Sequence, residues 1–348
     1  MDTRRPRSLR FDARALGADV RRSWSNGLAS LALTLVFTVI LVYRMETGAS
    51  PTVELMPDLD HFAAYWPNVL CQAFGWTGLI WSWLSIALGL LRSSTRSGWF
   101  TASARTVERW HRTLSLTTIA LMLLHILMFL VLIFLDRRAE LGSLRSFGTA
   151  FAFSFVPGAY SEATGELAIL IGIIALYLAA VLGMAFYSRR LLGPVVWRFV
   201  HASIVVVYIL SVWHTLLYGT NVWYAGLLRS GVWLGQLPLL GLLLARLFSP
   251  RSTPGRAFWF TVLRAAAALA AVATTAVTAW MVVSRDGGGR IRGEATGTGP
   301  VTPEMIWLGT GVFIVLVALG VIYSRHVQKR RRPASRGRVA RDRSEARR

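Results

Sequence analysis

The sequence predicts an all-α fold, a polytopic membrane helical bundle, and three observations carry the prediction. The 348 residues are 54% hydrophobic and fall into apolar runs that approach or exceed the roughly 20 residues needed to cross a bilayer. Unpaired backbone amides in hydrocarbon are too costly to tolerate, so such runs must be helices. The cations between the runs are shared unevenly, 30 of the 38 Lys and Arg on one side and 8 on the other. Four of the six histidines lie inside two of the apolar runs, where ionisable side chains normally face a partner or a cofactor.

Eight spans are expected near 24–43, 65–91, 110–135, 167–188, 195–217, 225–247, 257–283 and 305–324. An even number puts both chain ends on one side. The basic segments are the N-terminus, 92–112, 189–198, 246–256 and the tail, so both termini are expected to be cytoplasmic in a cell membrane. The acidic residues lean the other way, six inside and eleven outside. The net charge of +21 therefore orients the protein and does not point to nucleic acid. The arginine- and alanine-rich composition is of the kind found in bacteria of high genomic GC.

The chain divides into four parts. Residues 1–23 form a basic, partly helical cytoplasmic lead, and residues 24–248 a six-helix core. A turn-rich linker at 249–256 introduces two additional C-terminal spans, ending at 324, and 325–348 form a basic cytoplasmic tail expected to be disordered. That tail suits anionic lipid or an acidic partner. The outer loop 136–166 mixes Arg137, Arg138 and Arg145 with phenylalanines and is expected to lie in the interface and cap the bundle. A Gly-rich outer loop is expected at 287–299. The first apolar run lacks a convincing cleavage site, which makes it a retained helix. The single Cys71 excludes a disulfide framework, a multi-cysteine zinc site and covalent haem attachment. The 100 residues after 248 leave no room for a flavin barrel with a nucleotide-binding domain, and no Gly-x-Gly-x-x-Gly lies between a strand and a helix. The chain is therefore not expected to draw hydride from a nicotinamide cofactor by itself.

His111 and His125 are 14 residues apart on the third span, and His201 and His214 are 13 apart on the fifth. At about 1.5 Å per residue each pair is separated by roughly 20 Å. Both spans run outward, so His111 is level with His201 and His125 with His214. Two facing histidines suit the axial positions of a b-type haem, and two levels make two haems, one near each membrane face. Azimuth is the difficulty. A 14-residue step falls about 40° short of the starting face and a 13-residue step about 140° short, so the fifth helix must be distorted or tilted, or its ligands approached from different directions. His61 and His326 read as surface residues. Arg112 and Arg198 beside the inner ligands suit haem propionates or simple anchoring at helix starts. Trp197 and Trp213 suit porphyrin contact or core packing. Arg229, near the outer end of the sixth span, could attract an anionic ferric chelate.

At these residues the chain resembles the ferric reductase-like transmembrane domain, the superfamily of NADPH oxidases, ferric reductases and bacterial haem-binding membrane subunits. The resemblance rests on the 14-and-13 pairing, on Trp110-His111-Arg112 opening the third span and on His214-Thr-Leu-Leu-Tyr-Gly219 closing the fifth, and it covers roughly 28–248. It implies a bis-haem cytochrome that passes electrons from a cytoplasmic donor to an external acceptor. It also implies His111, His125, His201 and His214 as cofactor-binding iron ligands. The fused flavin and nicotinamide domains of the oxidases are missing, so the donor is expected to be a separate flavoprotein, a bound flavin or a quinol. The acceptor stays open among ferric chelate, oxygen, quinone and a protein. Two other readings remain: a single-haem subunit of a larger reductase, like the haem subunit of a methionine sulfoxide repair system, and a cofactor-free transporter or scaffold. Against the last, no Asp or Glu falls within 110–135 or 195–217.

Overall fold

The computed structural model describes residues 11–93, 103–161, 165–248, 257–284 and 301–345. The expected linker at 249–256 and the Gly-rich loop at 287–299 lie outside them. Among the described residues there is no strand, and eight helical segments are long and apolar enough to cross a membrane. They run over 24–46, 62–92, 104–141, 166–184, 194–218, 227–248, 261–283 and 303–326, within a few residues of the expected spans at most boundaries.

In chain order the helices are α1 (Ala13–Arg22), α2 (Trp24–Glu46), α3 (Pro51–Leu55), α4 (Phe62–Ser93), α5 (Ala104–Leu141), α6 (Ser143–Phe155), α7 (Glu166–Met184), α8 (Arg189–Leu192), α9 (Pro194–Ala202), α10 (Val205–Tyr218), α11 (Leu227–Leu234), α12 (Gln236–Phe248), α13 (Ala257–Ser284) and α14 (Pro303–Glu345). Local chemistry sets their ends. Asp12 accepts from the Ala15 amide to start α1, and Ser103 from the Thr106 amide to start α5. Pro194 occupies the first turn of α9, where its missing N–H loses no bond. Gly142, at φ 72°, ends α5 in a backbone conformation that glycine adopts without strain.

Helices α4, α5, α7 and α9–α10 form the centre. The closest pairs are α4 with α5 and α7 with α10, while α5 does not pack on α9 or α10. The two histidine-bearing helices instead face each other across a gap walled by α4 and α7. Helix α2 lies on α4, and α12 on the other part of α4. Hydroxyl and amide rungs join these helices: Thr34 Oγ1 donates to Thr77 Oγ1 at 2.9 Å, Asn26 Nδ2 to Thr113 Oγ1 at 2.7 Å and Trp83 Nε1 to the Gly235 carbonyl at 2.6 Å. Such bonds hold helices together where the hydrophobic effect between them is weak. The outward faces remain apolar, as at Leu35, Val39, Leu269 and Leu308, which suits lipid contact.

After α5 the chain turns back, and α6 lies along α5 with Ser146, Ala150 and Ser154 fully buried at four-residue spacing. Small side chains on one stripe permit that close approach. Helix α13 packs on α11 and α12, while α14 packs on α9 and α7. Helix α14 runs on from its membrane-length part through Glu345. Extending an existing helix avoids the nucleation cost, and Arg, Lys, Ala and Glu are good helix formers.

Helix α1 meets the start of α5, and Gly320 of α14 lies against Phe199 of α9, so both described chain ends sit at the same end of the bundle. That end is called proximal below and the opposite end distal.

Two histidine pairs in the helical gap

The histidines meet at two levels. The His111 and His201 rings lie 5.8 Å apart centre to centre at the proximal level, and His125 and His214 lie 5.8 Å apart at the distal level. In both pairs the rings are close to perpendicular, at 79° and 83°. A metal held by two imidazoles places the ligating nitrogens about 4 Å apart, twice a bond of ~2.0 Å, and the ring centres roughly 6 Å apart. Both pairs fit that requirement. Among the described residues no group of three or more His, Cys, Asp or Glu gathers, so these are two separate pairs and not one cluster.

Helix α5 spans both levels without interruption. The fifth span does not: it breaks between α9 and α10 at Ser203 and Ile204. There the amides of Ser203, Ile204, Val206 and Val207 donate to carbonyls three residues back, at 3.0–3.2 Å. A turn of that kind winds about 120° per residue in place of 100°, so four or five residues add roughly 80–100°. That recovers most of the 140° shortfall between His201 and His214. Local overwinding, one of the distortions open from the sequence, turns both rings toward α5.

Backbone carbonyls orient three of the four rings. His111 Nδ1 bonds the Ser85 carbonyl at 2.8 Å, His125 Nδ1 the Cys71 carbonyl at 2.7 Å, and His214 Nδ1 the Ala168 carbonyl at 2.7 Å. A carbonyl only accepts, so each Nδ1 carries the proton and each Nε2 keeps a lone pair for a ligand. His201 differs, because its buried Nδ1 faces the Leu182 carbonyl without closing a hydrogen bond. Trp197 stacks on His201 at 5.6 Å, and Tyr218 on His214 at 6.2 Å, each one helical turn toward its own end of the bundle.

Glycines on the walls admit the rings. A Cβ at Gly75 would lie 3.1 Å from His125 Nδ1, one at Gly89 3.0 Å from His111 Cε1 and one at Gly172 2.8 Å from His214 Nδ1. Gly75 and Gly89 repeat on antiparallel α4 the 14-residue interval of His125 and His111 on α5. Sequence reasoning missed these glycines, although that shared interval was a readable signal.

Each pair opens into its own cavity. The proximal one, about 630 Å³, is lined by Arg92, Arg198 and Arg246 besides its histidines. The distal one, about 220 Å³, is lined by no Asp, Glu, Lys or Arg among the described residues. The proximal volume lies in the range of cofactor sites. The distal pocket is tighter, and a bound porphyrin there would have to push its apolar walls apart. Ser82 and Met122 line both and so stand between the levels.

Several other residues stand apart from their sequence-based roles. Arg112 faces away from the proximal cavity: it binds the buried Asp19 of α1 through two nitrogens and lies over the Phe186 ring. Arg198 does line that cavity. Arg229 is buried, and its guanidinium donates to the carbonyls of Trp223 and Val282, which ties α11 to α13 and withdraws this side chain from the surface. Trp213 packs with Ala168, Ile171 and Leu217 outside both cavities. His61 is exposed beside Asp60, and His326 is exposed.

Residues 74–212 match the family model described as the ferric reductase like transmembrane component. The match takes in His111, His125 and His201 and stops two residues before His214. No curated protein and no solved structure matches the chain.

Proposed function

We propose, from a chain whose residues 74–212 form a ferric reductase-like transmembrane domain, that this protein is a bis-haem b-type cytochrome carrying electrons across the membrane. The donor is a separate cytoplasmic flavoprotein or a quinol, and the acceptor lies on the outer side. The observation that carries the reading is the repeated pair: two imidazoles 5.8 Å apart at each of two levels, in a gap that no direct helix packing fills.

In this reading the proximal end is cytoplasmic, as its cationic segments favour. His111 and His201 would hold one haem, and His125 and His214 the other. When bound, the iron supplies a one-electron couple that needs no proton at the ligands. The carbonyls of Ser85, Cys71 and Ala168 hold three imidazoles in the ligating tautomer. Largely apolar side chains from α4 and α7, among them Phe74, Leu79, Ile169 and Ile173, wall the distal ring pair. Arg92, Arg198 and Arg246 give the proximal cavity a cationic rim that favours carboxylates. Trp197 and Tyr218 extend each level toward its own membrane face with a stacked aromatic ring.

The test is a dithionite-reduced minus oxidised spectrum of the purified protein, with haem counted per chain. Two b-type haems are expected. One haem would fit a single-haem subunit and break the pairing at one level. None, after expression with ample haem, would leave a transporter or scaffold.

A further inference from the structure

The distal cavity continues past its histidines toward α3 and the turn after α10. Thr52, Asn68, Gln72, Thr220 and Asn221 line that extension. Four of them are joined to one another. The Thr52 and Thr220 hydroxyls share a 2.6 Å bond, Thr52 Oγ1 lies 3.4 Å from Gln72 Oε1, and Asn221 Nδ2 donates to the same oxygen. Asn68 Nδ2 is buried without a partner among the described residues, as are Asn221 Oδ1 and Ser154 Oγ of the same lining, and of the three the Asn68 amide can only donate. Buried donors in native proteins are normally completed, so an open one in a cavity wall asks for a ligand or a water. The rest of the wall is mostly apolar, with Met56, Leu59 and Trp76 near this end and the hydroxyls of Ser82, Ser154, Ser211, Thr215 and Tyr218 deeper in.

We propose that the mouth of the distal cavity binds an uncharged, carbonyl-bearing acceptor of the quinone class, with Asn68 Nδ2 donating to one of its oxygens. This rests on the proposed electron path and names the acceptor that the path serves. An anionic ferric chelate would leave water here and meet no Lys or Arg among the described lining residues. A quinone has an apolar body and only acceptor oxygens, which matches an apolar wall carrying an open amide donor. The reaction balances as quinone plus two electrons plus two protons giving quinol. The electrons come singly from the cytoplasmic donor and the protons from external water. Both C=O groups become C–OH and no other bond breaks.

The experiment titrates the purified full-length protein with duroquinone and, in parallel, with ferric citrate. It follows tryptophan emission, which Trp76 in the cavity wall reports, and the absorption spectrum. Saturable quenching by duroquinone is expected, about tenfold weaker in Asn68→Leu through loss of one hydrogen bond, and partly restored in Asn68→Gln. Ferric citrate is expected to give no saturable change. Unaltered duroquinone binding in Asn68→Leu with an intact spectrum, or saturable binding of ferric citrate in its place, would overturn the proposal. Should Asn68→Leu fail to fold, Asn68→Ala, which removes the same donor with less bulk, is expected to weaken duroquinone about as much, and unchanged binding there overturns it equally. Failure of the electron path is read separately, as absence of haem, while emission still reports whether duroquinone binds.

Discussion

The distal and proximal levels share one ring separation and differ in most of what surrounds it. Both distal rings are tied to carbonyls, the cavity is small, and no charged side chain lines it among the described residues. At the proximal level only His111 is tied, His201 stands beside a break in its helix, and three arginines line a cavity nearly three times larger. One helical plan, repeated at two depths, therefore yields one site without charged lining among the described residues and one lined by arginines. Ring orientation comes from carbonyls and glycines on α4 and α7, whereas electrostatic character comes from where each level lies relative to the basic segments.

The largest expected effect breaks the two levels apart. His125→Ala or His214→Ala should remove the distal haem and leave the proximal one, taking the count from two per chain to one. If both haems survive either change, the ligand pairing is wrong. Next in size are the wall glycines. Gly172→Val places a branched side chain where even a Cβ lies 2.8 Å from His214. It should therefore displace that ring and lower distal haem occupancy severalfold, and Gly89→Val should do the same at the proximal level. Haem loss confined to the wrong level in either variant would refute the wall assignment. A smaller effect separates the electrostatics. Arg198→Ala should lower the proximal haem potential by roughly 20–60 mV, the scale of one partly screened charge, and leave the distal potential unmoved. Redox titration resolves the two, and an equal shift at both would show that the levels do not differ as their linings suggest.

Much of this plan was legible in the sequence because lipid imposes simple rules. Apolar length gave the eight spans, and the histidine intervals gave the two levels. The misfit of a 13-residue step even marked the fifth span as irregular, although only the fold shows the overwound turn at Ser203 and Ile204 that absorbs it. What stayed hidden depends on contacts between distant segments. Asp19 and Arg112 are 93 positions apart, and nothing local signals that a buried carboxylate takes the guanidinium that seemed free for a propionate. Arg229 is similar, because the carbonyl of Val282 that it meets belongs to a helix 53 residues on. The fold-back of α6 was hidden for another reason: its buried stripe is made of Ser and Ala, which carry no hydrophobic pattern to read.

The smallest comparison lies away from both histidine levels, at the junction of α1 with the proximal end. Asp19 is only 1% exposed, and Arg112 and the Tyr187 hydroxyl, 3.0 Å away, complete its bonds. Removing one partner of a buried pair strands the other, so Arg112→Ala should cost about 3–5 kcal/mol and loosen α1 from the bundle. Tyr187→Phe deletes only a neutral donor and should cost about 1 kcal/mol. Burial, and then the adjacent Asp19 carboxylate, push the Tyr187 hydroxyl above its ordinary value. A raised folded value means that the neutral hydroxyl stabilises the fold fully below about pH 10, the unfolded tyrosine value, and less as pH rises beyond it. Thermal unfolding of wild type and Tyr187→Phe, compared at pH 8 and pH 11, checks the sign. The difference between them should shrink at the higher pH, and a gap that stays the same there would mean that the hydroxyl ionises in the folded state as readily as in the unfolded chain.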